Sequence, residues 1–362
     1  MRHLHLRLSL AIPTGMAFAF ALALPCAAPV RPGIGAPPVP QRPDRPASAR
    51  AVALELVGRT DDGSAPGPLG LVVAGDHAYL AAWRRGLRVI RVSDAKAPRE
   101  VGSCAIRGAA RDVVVAGGYA YVAAEVGGLR VLDVSDPRTP TEVGSFPTRG
   151  FAATVAVAGK TAFVADSYDK EDASQGCLRV VEVSDPKAPF ELGSFEKPGL
   201  LLGVSVAGKY AYAAYKNDVL WVVDVSDPGH PVEVACCRGT GEGQGVVVVA
   251  SHAYVPDRDG FVHVVDVADP RSPKLVGSSP DEPGIALAVA VVGEYAYVGS
   301  KRNVLHVLDV SNPRAPAWVG SYPTPGRANG VAVAGAHVYV NDGEGGLLIL
   351  RPAVIERGAK SP

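Results

Sequence analysis

The sequence predicts an all-β chain folded as a seven-bladed β-propeller of four-stranded antiparallel blades, its ring closed by an N-terminal strand. Three observations predict it. A ten-residue motif returns at a near-constant interval in seven copies, the last of them degenerate. The composition favours strands and tight turns over helices. One strand-like segment before the repeats matches the strand that the last repeat lacks.

The motif reads Gly128-Leu-Arg-Val-Leu-Asp-Val-Ser-Asp-Pro137 in its clearest copy. It returns as GLRVIRVSDA from Gly86, CLRVVEVSDP from Cys177, VLWVVDVSDP from Val219, FVHVVDVADP from Phe261 and VLHVLDVSNP from Val304. The degenerate last copy is GLLILRP from Gly346. The leucine-equivalent positions are Leu87, Leu129, Leu178, Leu220, Val262, Leu305 and Leu347, spaced by 42 or 43 residues with one interval of 49. A period of about 40–45 residues holding several strands is the signature of a propeller blade. The 41 Gly and 31 Pro, against 2 Met and 8 Phe, suit many short strands joined by turns.

Each unit divides into four strand-like runs. In the second, Asp112 to Ala116 comes first, and Gly117-Gly118 turns the chain into Tyr119 to Ala124. Leu129 to Val134 is the third run. After Ser135-Asp-Pro137, the segment Glu142-Val-Gly-Ser145 is the fourth and outermost. The seventh unit has no Val-Gly-Ser run of its own. Glu55-Leu-Val-Gly58 matches that run, whereas Ala353 to Arg357 does not. Pairing 55–58 with the last unit removes an exposed sheet edge. The propeller is therefore expected over 51–352, with 353–362 as a C-terminal tail.

The recurring Leu-x-Val-x-Asp-Val core resembles the LVIVD repeat, a family of predicted β-propellers from bacteria and archaea, many of them exported. The resemblance spans roughly residues 53 to 351. It implies the propeller fold and, often, a surface location. The family shares no catalytic motif, so the resemblance implies no activity.

Residues 1–28 read as a signal peptide. Arg2, His3, His5 and Arg7 precede an apolar stretch from Leu8 to Leu24, broken by Pro13 and Gly15, and Ala27 and Ala28 follow. The alternatives are a single membrane anchor, for which the stretch is short, and a lipoprotein modified at Cys26, whose preceding Ala23-Leu24-Pro25 fits a lipobox poorly. Seven prolines between Pro29 and Pro46 make 29–50 an extended linker. The expected product is extracytoplasmic and monomeric, with no membrane span once the signal is removed. Formal net charge is zero and no basic tract with interleaved aromatics appears, which excludes nucleic acid as a partner.

Comparing the seven copies separates scaffold from candidate site. Asp94, Asp136, Asp185, Asp227 and Asp269, with Asn312, recur ahead of the turn proline or its equivalent and read as turn caps. The recurring Asp133, Asp224, Asp266 and Asp309 read as scaffold too. No histidine is expected on the loop face, so neither a Ser-His-Asp triad nor a metal centre is predicted, and no cofactor. Cys104, Cys177, Cys236 and Cys237 are expected mainly as small buried apolar residues, with a strained vicinal disulfide at 236–237 as the other option.

The candidate binding face carries the loops between second and third strands and those between blades. Arg111, Gln244 and Asn329 are polar where Leu69, Ala153, Leu202 and Leu287 are apolar, so they are the channel-mouth candidates. Asp166, Asp257 and Asp342 share one register with Tyr215. The next register holds Trp83, Glu125, Lys216, Arg258 and Lys301, with Arg84 following Trp83. The third unit gains seven residues within 167–176, expected as an acidic loop; Asp169, Glu171 and Asp172 supply calcium-type ligands without a known loop spacing.

Three functions compete. The first is a non-catalytic scaffold that recognises a protein or glycan at the cell envelope through Trp83, Arg84, Arg111, Glu125, Asp166, Tyr215, Gln244, Asp257, Arg258, Asn329 and Asp342. The second is a hydrolase or lyase built on Asp166, Asp257 and Asp342, whose carboxylates would need environments that separate their pKa values. The third is a structural envelope protein tethered by the linker.

Overall fold

The computed structural model describes residues 50–60, 70–170, 173–281, 284 and 286–356, all within a compact unit spanning 44–362. The segments expected as signal peptide and linker lie outside the described residues up to residue 49. So do Glu171, Asp172 and the side chain of Asp169.

Seven four-stranded antiparallel sheets form the blades of a propeller. Blade 1 consists of Leu71–Ala74, His77–Ala81, Leu87–Arg91 and Arg99–Cys104, from the innermost strand outwards. Blade 2 repeats this with Asp112–Ala116, Tyr119–Ala123, Leu129–Asp133 and Thr141–Phe146. Blades 3 to 6 follow the same order.

The middle strands are apolar on both sides because each blade is covered by two neighbours. Ala78, Ala120, Ala162, Ala211, Ala253 and Ala296 occupy one register and are fully buried; a small side chain there lets adjacent sheets approach. Tyr79, Leu87 and Val89 of blade 1 pack on Ala120, Val122 and Leu132 of blade 2. The last blade packs on the first in the same way, through Tyr339, Leu347 and Ile349 against Ala78, Leu80 and Ile90. The side-chain core runs round the whole ring.

The seventh blade draws on both ends of the repeat array. Gly330–Ala334, His337–Asn341 and Leu347–Glu356 are its inner strands, and Arg50–Arg59 is its outermost. Leu56 lies opposite Leu350. The last strand continues to Glu356, so residues 353–356, expected as tail, pair with Arg50 to Ala53. Arg50, expected as the end of the linker, is likewise the first residue of a strand.

A physical constraint explains why the outermost strand reads Val-Gly-Ser. A Cβ on Gly102 would lie 2.3 Å from the carbonyl oxygen of Pro137, in the turn of the next blade, and one on Gly144 would lie 2.1 Å from that of Pro186. Gly277 meets Pro313 in the same way at 2.2 Å. These approaches are closer than any side chain tolerates, so glycine is required. Gly58 stands in the same relation to Ala95, at 2.2 Å. The pairing register also shifts beside each of these glycines, between Val131 and Leu132 in blade 2 and between Leu56 and Gly58 in the closing strand. The closing strand carries the glycine and the bulge of an outer blade strand.

The turn aspartates act as caps. Asp136 Oδ1 accepts the Arg138 N–H at 3.1 Å and Asp185 Oδ1 that of Lys187 at 3.0 Å. Three residues earlier, at the end of the third strand, Asp133 and Asp224 each accept the N–H of the serine two residues on, both at 2.9 Å. The insertion in blade 3 is not an irregular loop. It lengthens two strands, Thr161–Lys170 and Ala173–Glu182, into a hairpin paired as far as Lys170 and Ala173. Among the described residues, no helix is long and apolar enough to cross a membrane.

Candidate functional site

The seven innermost strands surround an axial cavity of about 640 Å³. Its walls are small and apolar, from Gly70, Ala153, Gly203, Gly245, Ala288 and Gly330, because strands converging on an axis leave little room for side chains. A second cavity of about 540 Å³ adjoins it and shares Arg111, Leu202, Gln244 and Lys301. Phe151 and Tyr168 border this second space, with Lys216 and Arg258.

Arg111 is the most constrained residue of this mouth. Its guanidinium lies 4.8 Å from the centre of the Phe151 ring and 6.0 Å from that of Trp83. Nη1 donates to Glu125 Oε1 at 3.4 Å. Burial disfavours its charged form, and Glu125 and Asp112 oppose that effect. Cation–aromatic contacts of this kind contribute about 0.5–2 kcal/mol, more as water is excluded.

Trp83 and Glu125 both adopt left-handed backbone conformations, with φ of 52° and 48°. Side chains rarely tolerate this, at a cost on the order of 1–3 kcal/mol. Paired backbone hydrogen bonds hold them there. Trp83 exchanges N–H···O bonds with Ala110 at 3.1 and 2.9 Å, and Glu125 with Ala152 at 3.1 and 3.2 Å. The loop of one blade is thus stitched to the entry of the next, which fixes both side chains beside Arg111.

Asp112, next to Arg111, is a structural carboxylate. Oδ2 accepts the Val155 N–H at 3.0 Å and Oδ1 that of Val113 at 2.9 Å. Desolvation pushes its carboxyl upwards and those two N–H donors oppose it.

The remaining mouth charges are four cations and the carboxylate of Glu242. Glu242 Oε2 lies 3.3 Å from Arg258 Nη1 and 3.8 Å from Lys216 Nζ. Lys301 and Arg327 are exposed and line the axial cavity. Burial depresses the Lys301 ammonium, and Arg327, Arg258 and Arg111 depress it further. Five cations thus meet the carboxylates of Glu125, Glu242 and Asp112, the last already bonded to two backbone N–H groups. Gln244 lines both cavities, its Nε2 donating to the Glu242 carbonyl at 3.0 Å. Asn329 is largely buried in the wall of the axial cavity.

The other residues expected on this face lie elsewhere. Asp166 is fully buried, accepting from Arg179 Nε at 3.1 Å and the Gly150 N–H at 3.2 Å. Asp257 is buried against His263 Nε2 at 3.0 Å and accepts the Asp259 and Phe261 N–H groups. Asp342 Oδ2 accepts the Gly326 N–H at 2.6 Å. Each of the three braces its own blade, and none lines either cavity. Tyr215 is also fully buried, its hydroxyl donating to the Gly176 carbonyl at 3.0 Å. Arg84 is exposed but lines neither cavity. These five were placed on the binding face because their register starts a loop; their side chains turn into the blade or away from the axis.

His263 joins two groups that sequence reasoning kept apart. Its Nδ1 lies 2.8 Å from Ser278 Oγ, giving a Ser278–His263–Asp257 chain. The internal comparison explains it as a brace. In blade 3 the same position holds Arg179, which bonds Asp166 on one side and Glu191 of the outer strand on the other. Ser278 borders none of the cavities described. Sequence reasoning grouped Lys216 and Lys301 with Arg258 but passed over them as site residues, along with Phe151, Tyr168 and Arg327. The signal was present: three consecutive repeats carry a cation at one register. Among the described residues, no group of three or more His, Cys, Asp or Glu is placed to hold a metal ion.

The LVIVD repeat model matches residues 69–106, 107–148, 149–197, 199–238, 240–280, 283–324 and 325–350. Among curated proteins, nothing matches the chain. Among solved structures, the computationally designed Ika8 protein is similar, with a TM-score of 0.59 at 10% identity over 83% of this chain and 100% of that one. BamB from Moraxella catarrhalis is similar with a TM-score of 0.54 at 15% identity, over 82% of this chain and 85% of that one. Both likenesses concern the fold.

Proposed function

The chain belongs to the LVIVD-repeat family, and on that footing we propose that it is a non-catalytic binding module, exported from the cytoplasm, that recognises a protein or glycan partner through the mouth of its ring. The observation that carries this reading is the contrast between mouth and blades. Scaffold carboxylates such as Asp112, Asp166, Asp257 and Asp342 are bonded within their own blade or to the next one. At the mouth, Arg111, Arg258, Lys301 and Arg327 gather around open cavities with an aromatic border. Exposed charge and aromatic rings beside a concave surface are what a binding face needs.

The hydrolase or lyase reading has no such support, because its three aspartates are each tied into a separate blade. The test is capture of partner from a cell-envelope extract by the folded protein and by an Arg111→Ala, Arg258→Ala double variant. Loss of about 1.4 kcal/mol of binding weakens capture tenfold. Arg258 is exposed, so its change alters stability by no more than about 0.5 kcal/mol, and melting curves control for Arg111. Undiminished capture by a folded double variant moves the site off this face.

A further inference from the structure

Lys216, Arg258 and Lys301 stand just after the second strands of blades 4, 5 and 6, where blades 1 and 2 carry Trp83 and Glu125. The blade itself therefore demands no cation at this register. Arg111, which lines both cavities, and Arg327, which lines the axial one beside Lys301, come from the connections between blades. Gathering like charges beside one another opposes folding unless opposite charge offsets them. Glu242 compensates Lys216 and Arg258, and Glu125 compensates Arg111. Among the described residues, no carboxylate pairs with Lys301 or Arg327. Lys301 lines both adjoining cavities and Arg327 the axial one, each without a carboxylate partner among the described residues, while Arg111 borders both cavities and Lys216 and Arg258 the second; this local excess of positive charge is what an anion would offset.

We propose that the mouth binds a compact multivalent oxyanion, a ligand bearing two or more phosphate or carboxylate groups, seated between Lys301, Arg327, Arg111 and Arg258. The proposal rests on the mouth being the functional face, and names the ligand chemistry of that face. Glu242, placed between Lys216 and Arg258, already shows that a carboxylate fits between two of these cations. Phosphate and carboxylate both accept several charge-assisted hydrogen bonds, and arginine meets either in a bidentate manner. A single charge would leave part of the array unmatched, which is why the ligand is multivalent.

The experiment is calorimetric titration of the folded protein with pyrophosphate and, separately, with citrate, each against sodium chloride of equal ionic strength. Saturable binding of either probe is expected, together with a rise in melting temperature. A Lys301→Ala, Arg327→Ala double variant should bind at least tenfold more weakly. Both side chains are exposed and face like charge, so its ligand-free melting temperature should not fall. Preference for pyrophosphate assigns a phosphate ligand, and preference for citrate a carboxylate. Heats no larger than those of the salt control, or equal binding by the folded variant and its parent, overturn the proposal. If the probes bind while partner capture ignores Arg111 and Arg258, the anion site stands and the mouth-face reading falls. Capture that depends on those residues without probe binding removes the anion site alone.

Discussion

Asp342 shows how a polar residue at a loop-starting register can belong wholly to the scaffold. It is fully buried, and Oδ2 receives the Gly326 N–H while Oδ1 has no hydrogen-bond partner among the described residues. Desolvation raises its carboxyl pKa, against the opposing pull of Gly326 and Thr324. An Asp342→Asn change keeps an acceptor for Gly326 and removes a buried charge, so its melting temperature should equal or exceed the parent's. Asp342→Ala leaves that buried N–H unsatisfied and should cost about 1–3 kcal/mol. Because the folded carboxyl holds its proton to higher pH than the unfolded one, its contribution to stability is present at acid pH. It is lost as pH rises from the ordinary carboxylate range through the raised folded value, and the Asn variant should lack this slope. Thermal denaturation of the three proteins across that pH range checks both points; identical curves would refute them. The repeat register grouped Asp166, Asp257 and Asp342 correctly. It did not reveal their burial, because the partners lie elsewhere in the chain: Arg179 for Asp166, His263 for Asp257 and the Gly326 N–H for Asp342. Arg111, Gln244 and Asn329 were legible as cavity-lining residues, since a polar side chain among apolar equivalents marks the axis. The convergence of Lys216, Arg258, Lys301 and Arg327 was not legible, because it depends on ring geometry that no single repeat encodes.

At the scale of strands, the outer-strand glycine links sequence to assembly. Gly102, Gly144 and Gly277 read locally as breaks in a strand, but each is demanded by a carbonyl of the neighbouring blade. That constraint is why the Val-Gly-Ser run persists, and why 55–58 could be recognised far from its partner strand. The lengthened hairpin of blade 3 was not legible: its acidic and serine residues suggest a loop, and the pairing of Ser167 with Gly176 and Tyr168 with Gln175 overrides that local preference. The closing strand supplies the next prediction. Arg50–Arg59 buries Val52 in the cluster of blades 6 and 7, and the Val52 carbonyl abuts Gly320 of blade 6. Arg351 also pairs with Glu55 at 2.6 Å, an exposed contact of little weight. Deleting residues 50–59 should expose the edge of Leu347–Glu356 and lower stability by several kcal/mol, a large part of a domain's usual margin. A Gly58→Val variant should lower it in the same direction with the strand still present. Melting by circular dichroism reads both, and a deletion that melts with the parent would show that the ring does not depend on this strand.

Over the whole molecule, the thiols bear on where the protein works. Among the described residues, Cys104, Cys177 and Cys237 are unbridged. A protein destined for an oxidising compartment usually pairs its cysteines or hides them. This chain buries Cys177 and Cys237 and leaves Cys104 and Cys236 half-buried. Burial pushes the Cys177 thiol up to about 12, and desolvation also raises Cys104 and Cys237. The thiolate is the species that reacts, so at neutral pH these sulfurs exchange slowly with disulfides. Cys104 and Cys237 occupy one register of blades 1 and 4, on opposite sides of the ring, which prevents them from meeting. The fold therefore tolerates export without a disulfide framework, consistent with a core that closes on itself by packing alone. The order of basic residues, apolar stretch and small residues over 1–28 then predicts a mature product that begins near Pro29 and accumulates outside the cytoplasm. Cell fractionation with N-terminal sequencing reads this directly, and a full-length cytosolic product would overturn it. On the native exported protein, a thiol reagent at neutral pH should label Cys177 only after denaturation. Rapid labelling of Cys177 in the folded state would mean that the blade 3 core opens readily, and the argument from burial would fail with it.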